Sequence, residues 1–333
     1  MSEFVIEVTR QGHVESCHRV SAAVVDEHGT LVASAGNPEQ VTFWRSAAKP
    51  FQALPLVQDG GADQFGFGPR ELALTCASHS SEPEHRTLCE QMLNRIGCAE
   101  TALACGPHPP LSQPVAEQVI REGLSLTPLW SNCSGKHTGM LAQARHHGWP
   151  LEGYQRQGHP LQQRLLEEVS RWTGVKQESI LQVGDGCTAV NFGMPLSAMA
   201  EGYARLAVSP DASALRIREA MLGHPFLVAG TGRLCTDLMT EAKGTVLAKV
   251  GAEGVYSAAY LPLRLGITLK VEDGAWRAAP PALMAILEQV VETLSPGTKR
   301  PWGELPHHAA PILKDTGGNE VGHVRATGQL RFK

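Results

Sequence analysis

Apolar and polar positions alternate through the first forty residues, at 4–8, 20–25 and 31–35, with Asp26-Glu27-His28-Gly29 between the last two runs. A period of two interrupted by turn formers predicts a β-hairpin. From Ser81 to Gly97 the period changes: Leu88, Met92 and Ile96 recur every fourth residue, and Ser81-Glu82-Pro83-Glu84 has the form of a capping box. The same spacing predicts a helix through Leu161, Leu165, Val169 and Trp172 that stops at Gly174. A third helix, through Leu283, Leu287, Val290 and Leu294, begins after Pro280-Pro281 and ends at Pro296. Between these two lie short β-type runs at 245–249, 255–261 and 266–271, divided by turns that carry glycine or proline and therefore read as an antiparallel meander. Strands at both ends with helices between predict an α/β (α+β) sandwich, in which a mainly antiparallel sheet is flanked by helices.

The 333 residues suffice for a sizeable core, and 34 glycines and 22 prolines are spread without a low-complexity tract or linker, so one domain over 1–333 is expected. A net charge of −4 without basic clusters argues against nucleic acid or an anionic membrane as the main partner and favours a small molecule. Met1-Ser2-Glu3-Phe4-Val5-Ile6-Glu7 lacks the pattern of a secretory leader, and no apolar run reaches membrane-spanning length, so a cytoplasmic location is expected. The eight cysteines show no Cys-x-x-Cys spacing, as in a reduced protein whose thiols are mostly buried.

Candidate chemistry begins at Ser46-Ala47-Ala48-Lys49, where a hydroxyl and an amine stand at i and i+3 and share one helical face. Serine is a weak nucleophile at neutral pH, and a desolvated amine is a suitable base for it, so the spacing points to acyl transfer. Pro50 fits only the first turn of a helix, which places Ser46 at or just before the N-terminus.

Four further clusters follow. Thr75-Cys76-Ala77-Ser78-His79-Ser80-Ser81 is a polar loop leading into a helix, where Ser78 can act as a nucleophile or assist an oxyanion, or simply cap. Ser131-Asn132-Cys133-Ser134-Gly135-Lys136-His137 opens a helix that continues to His147; it is no phosphate loop, because Trp130 stands where that motif needs glycine and His137 where it needs serine or threonine. In Gly184-Asp185-Gly186-Cys187 the glycines are expected to supply a tight backbone. Cys133 and Cys187 are either inert buried thiols or metal ligands. Lys249-Val250-Gly251-Ala252-Glu253-Gly254 puts a lysine at a strand end, while His79, Glu82, Glu84 and His85 match no metal signature and are expected at the surface.

In this order the clusters Arg45-Ser46-Ala47-Ala48-Lys49-Pro50, Cys76-Ala77-Ser78-His79, Cys133-Ser134-Gly135-Lys136-His137, Gly184-Asp185-Gly186-Cys187 and Lys249-Val250-Gly251 resemble the Rhizobium etli-type L-asparaginases over most of the chain. His224-Pro225-Phe226-Leu227-Val228-Ala229-Gly230-Thr231-Gly232 and Gly318-Asn319-Glu320-Val321-Gly322 extend the likeness. The resemblance implies an amidohydrolase that converts L-asparagine to L-aspartate and ammonia, a fold similar to serine β-lactamases and penicillin-binding proteins, and a homodimer. It implies Ser46, Lys49, Ser78 and Lys249 as catalytic residues, Cys133, Lys136 and Cys187 as zinc ligands, and Arg45, His137 and Asp185 as polar neighbours that bind substrate. Where related folds carry Lys-Thr-Gly this chain has Lys249-Val250-Gly251, and Lys270 on a nearby strand is the alternative to Lys249.

On this reading Lys49 takes the proton of Ser46, Ser46 attacks the side-chain amide carbon, and water later releases the acyl group. Two rival readings use the same residues: a β-lactamase-like or esterase-like acyl hydrolase, and a zinc-dependent binding or regulatory protein.

Overall fold

The structure, a computed structural model, describes residues 3–333; Met1 and Ser2, at the start of the segment read for a leader, lie outside the described residues. The chain forms two compact units, one from residues up to 47 with 194–208 and 237–333, the other from 48–193 with 209–236.

The first unit is built on an antiparallel sheet. Its strands run in the order Ile312–Lys314, Glu320–Thr327, Val5–Arg10, His13–Val25, Leu265–Val271, Val255–Tyr260 and Val246–Val250, with Leu31–Ala35 and Arg331–Phe332 branching from His13–Val25. The meander expected near residue 250 is present, with Val246 opposite Tyr260 and Val255 opposite Lys270. The predicted N-terminal hairpin is larger than its apolar pattern indicates. Residues 13–19 are mostly exposed and alternate poorly, yet they pair through the backbone with Val5–Arg10, and ladder hydrogen bonds need no apolar side chains. Gln11 and Gly12, both at positive φ (47° and 86°), make the tight turn, as two-residue hairpin loops require.

Every residue of the last three meander strands is buried, so the sheet centre is covered on both faces. The helices Leu196–Val208 and Ala279–Leu294 pack on these strands. At Gly266 the approach of the first helix is so close that a Cβ would stand 1.8 Å from the Ala200 carbonyl oxygen; only glycine fits there.

The second unit is largely helical. The predicted helices are Pro83–Arg95 and Pro160–Thr173, the latter ended by Gly174 at φ 69°. The capping box at Ser81 is not made. Ser81 takes a left-handed conformation (φ 59°) and its hydroxyl donates to the Trp130 carbonyl at 2.6 Å, so Glu82 becomes the helix cap. His79 and His85 are also not surface groups: both are buried, stacked with ring centroids 5.1 Å apart, and His85 stacks in turn on Phe226. Their flat rings fill an interior layer that a polar count along the chain does not reveal. No helix among the described residues is long and apolar enough to cross a membrane.

Candidate active site

In the second unit, Lys49 begins the helix Lys49–Gln58, with Pro50 in its first turn and nearly all of its residues buried. A short 3-10 turn, Arg45–Ala48, precedes it and carries Ser46. Lys49 is itself 1% exposed. Its Nζ lies 3.0 Å from the Ser78 hydroxyl oxygen and 3.2 Å from Cys133 Sγ, and it also donates to the Ala77 carbonyl. The amine thus meets three acceptors at once, the Ala77 carbonyl, the Ser78 hydroxyl oxygen and the Cys133 sulfur.

Ser78 is fixed from both sides. Its own N–H donates to the Val228 carbonyl at 3.0 Å, and the next N–H, of His79, donates to the Asn132 carbonyl at 3.1 Å. His79 accepts the Ser81 N–H at Nδ1 (3.1 Å), so Nε2 carries the proton and donates to the Ser134 hydroxyl at 2.9 Å. Burial, then the neighbouring His85 and Lys49, hold His79 well below its ordinary pKa of 6.5.

Cys133 stands at the N-terminus of the helix Ser134–His146, which presses against Leu74: a Cβ on Gly135 would meet the Leu74 carbonyl oxygen at 2.3 Å. The Cys133 thiol lies 3.0 Å from the Asn132 side-chain oxygen, and the Asn132 amide nitrogen is 2.8 Å from His108 Nε2. One turn into the helix, Lys136 Nζ donates to Cys187 Sγ at 2.9 Å. The two sulfurs share one hydrogen bond with opposite consequences. Cys133 holds the proton and is pushed up to about 12 by that bond and by burial, whereas Cys187 is brought down to about 5 by the same bond, with Lys136 assisting against burial. Burial opposes the charge on Lys136, but Cys187, Cys133 and Asp185 outweigh it and raise its pKa.

His137 follows on the same helix, fully buried, with Nδ1 2.6 Å from the Tyr154 hydroxyl. Burial, then Lys136, push it down to about 3, and its Nε2 has no hydrogen-bond partner among the described residues. Asp185 lies in the turn between the paired strands Leu181–Gly184 and Val190–Pro195; its carboxylate accepts the Gly186 N–H at 2.8 Å and lies 3.8 Å from Cys187 Sγ. The left-handed residue of this turn is Thr188 (φ 76°), and Gly184 has open space around its Cα. At Gly184, then, nothing makes the close approach expected there.

The first unit holds Arg45, Ser46 and Lys249. Arg45 is at positive φ (55°) and half-buried, as is Ser46. The segment is tied to the sheet by the Trp44 indole N–H, which donates at 3.0 Å to the Ser257 hydroxyl, and by Tyr203, whose hydroxyl donates to the Ala47 carbonyl at 2.8 Å. Ser257 is the cross-strand partner of Lys249. Gly251 comes so near the Trp44 carbonyl that a Cβ would stand 2.9 Å from it. Lys249 is fully buried, contrary to the solvated norm for a strand-end lysine, and its Nζ donates to the Val250 carbonyl at 3.0 Å. Lys270 is occupied elsewhere: its Nζ donates to the carbonyls of Glu253, Val271 and Glu272.

Residues 6–326 match the L-asparaginase II family. The chain belongs to that family. Membership makes it an amidohydrolase of the asparaginase class. Among curated proteins none matches the chain. Similar solved structures include a putative β-lactamase from Bacteroides dorei DSM 17855, 11% identical, covering 86% of this chain and 94% of that one at a TM-score of 0.41. A β-lactamase from Mycobacterium bovis is 13% identical, covering 81% of this chain and 94% of its own, at a TM-score of 0.37. The hydrolase EstCE1, described as having promiscuous acyltransferase activity, is 10% identical, covering 84% and 91%, at a TM-score of 0.36.

Two groups of side chains around the family motifs are not legible as site residues in the sequence. Asn132 and His108 hold the Cys133 side, and Tyr154 holds His137; only Asn132 carried a signal, by standing next to Cys133. A separate group in the first unit, Asp237 with His307 and His308, brings three ligand atoms within 4.8 Å of one another, enough to hold a metal ion. The tandem His307-His308 after Pro306 was the visible hint.

Proposed function

We propose that this amidohydrolase cleaves L-asparagine to L-aspartate and ammonia, with Lys49 as the general base and Ser78 as the hydroxyl it activates. The 3.0 Å separation of Lys49 Nζ and Ser78 Oγ in a buried setting carries this reading. Ser78 forms the acyl bond as its proton passes to Lys49; the proton returns to the departing nitrogen, ammonia leaves, and water then attacks the ester. Ser46 and Lys249 are carried as further catalytic residues on their family positions. Arg45, His137 and Asp185 are carried in the same way as groups that hold the polar ends of the substrate. The whole span 1–333 is read as one functional domain, active in the cytoplasm as a homodimer.

Zinc is the cofactor proposed at Cys133, Lys136 and Cys187. The donor set fits: Cys187 is already inclined to thiolate, and Cys133 and Lys136 adjoin it, although both must give up protons that the metal-free site favours. A zinc ion there supplies positive charge and loop order. The chain's own contribution at this point is the Asn132 and His108 bracing that keeps Cys133 beside Lys49.

Ammonia release from L-asparagine and L-glutamine, measured for the unaltered protein and for Ser78→Ala, Ser46→Ala and Lys49→Met, tests the assignment. Normal turnover in Ser78→Ala or Lys49→Met sinks it. A nitrocefin or ester assay that outpaces asparagine would transfer the same dyad to another acyl substrate.

A further inference from the structure

We infer that Asp237, His307 and His308 form a structural site for a first-row divalent transition metal, zinc foremost. Asp237 lies on the helix Leu234–Glu241, and the histidines lie on the short helix Pro306–Ala309. Successive residues on a helix diverge by about 100°, yet both imidazoles turn to the same carboxylate oxygen. His308 Nε2 is 2.7 Å and His307 Nε2 3.2 Å from Asp237 Oδ2, with the ring centroids 4.1 Å apart.

The backbone is bent to allow this. Leu305, the residue before the helix, sits at φ 42° and ψ 54°, and its carbonyl accepts the N–H groups of His308 and Ala309. A leucine in the left-handed region is strained, and here the bend presents two adjacent histidines to one acceptor.

Two imidazole nitrogens and a carboxylate oxygen suit zinc and its first-row neighbours, whereas magnesium and calcium favour oxygen throughout. Ligand bonds of about 2.0–2.1 Å set donor atoms about 3.3 Å apart around a tetrahedral ion. The two spacings to Asp237 Oδ2, 2.7 and 3.2 Å, are within a sub-ångström adjustment of that value, and the three ligand atoms all lie within 4.8 Å of one another. On binding, each Nε2 turns a lone pair to the ion and its ring proton resides on Nδ1. His308 is buried and His307 exposed, so the site is open on the His307 side, where a water completes the fourth position. The ion would then staple the Pro306–Ala309 helix, at the entry to the C-terminal strands, onto Asp237. This proposal does not depend on the substrate or on the thiolate site.

The test uses full-length protein stripped with a chelator and titrated with Zn²⁺ against a chromophoric competitor. His307→Ala removes an exposed ligand with little risk to folding, and Asp237→Asn removes the shared acceptor charge. In a Cys133→Ser/Cys187→Ser background, Zn²⁺ is expected to bind and to raise Tm by about 4 °C at saturation, and Co²⁺ to give visible bands without a thiolate charge-transfer band. His307→Ala and Asp237→Asn, each made in the native chain and in that background, should weaken this binding at least about tenfold and abolish the Tm shift. Zn²⁺ affinity and Tm shift unchanged by both substitutions in that background, or a native chain whose zinc stoichiometry neither substitution lowers, overturn the site.

Discussion

Lys49 and Ser78, twenty-nine positions apart in sequence, meet with 3.0 Å between amine and hydroxyl, and a third group, the Cys133 thiol, touches the same amine at 3.2 Å. The base is thereby linked to the Cys133–Cys187 pair through a single sulfur. Burial of all of these side chains strengthens each contact, because little water competes for the donors and acceptors.

Replacing the base tests this relationship directly. Lys49→Met keeps the length and bulk of the side chain and removes the amine, so asparagine hydrolysis should fall by about 10³-fold with the fold intact by circular dichroism. Ser78→Ala should fall as far, and the double variant no further, because the two act as one unit.

The two strand lysines should separate. Lys270 Nζ is occupied by three carbonyls, so Lys270→Met should lower the urea midpoint by an amount equivalent to about 1–3 kcal/mol and leave kcat nearly unchanged. Lys249→Met should lower kcat. The opposite pattern in steady-state kinetics would exchange their roles.

The sulfur pair predicts a thiolate at neutral pH. In metal-free protein, absorbance near 240 nm should report one thiolate that persists as pH falls and disappears through about 5, the value to which Cys187 is lowered. Cys187→Ser should abolish it. Cys133→Ser should move the transition upward, since the Cys133 hydrogen bond is the largest cause of the lowering.

His79 predicts an acid limb of stability. It stays neutral in the folded protein well below 6.5, while the unfolded chain takes up a proton near that value. The unfolded state therefore binds more protons below pH 6.5, and stability must fall as pH drops from there toward the folded pKa. Urea unfolding at pH 7 and pH 5 should show the loss, and His79→Phe should flatten it. At pH 7 the same substitution should cost about 1–3 kcal/mol, because the Ser81 N–H and Ser134 hydroxyl lose their partner.

Gly135→Ala should destabilise by about 3 kcal/mol or more, since the added methyl would meet the Leu74 carbonyl oxygen at 2.3 Å. Lys136 is the next residue, so zinc affinity should fall with stability in the same variant; calorimetry and metal titration read the two together.

Much of this protein is written locally. Short β-type runs bounded by turns with glycine or proline marked the meander strands, whose residues 246–250, 255–260 and 265–271 need only their own side chains and turns to be recognised. The helices 83–95 and 160–173 followed from spacing, prolines and Gly174, because 3.6-residue periodicity and caps are properties of neighbouring residues. The motif order also carried the family. Tertiary structure decided the pairings: that Lys49 bonds Ser78 and Cys133, that Lys136 bonds Cys187, that His79 and His85 are interior rings, and that His307 and His308 share Asp237. Each of these depends on distance between residues far apart along the chain and on exclusion of water. Both are set by packing, and a one-dimensional pattern contains neither.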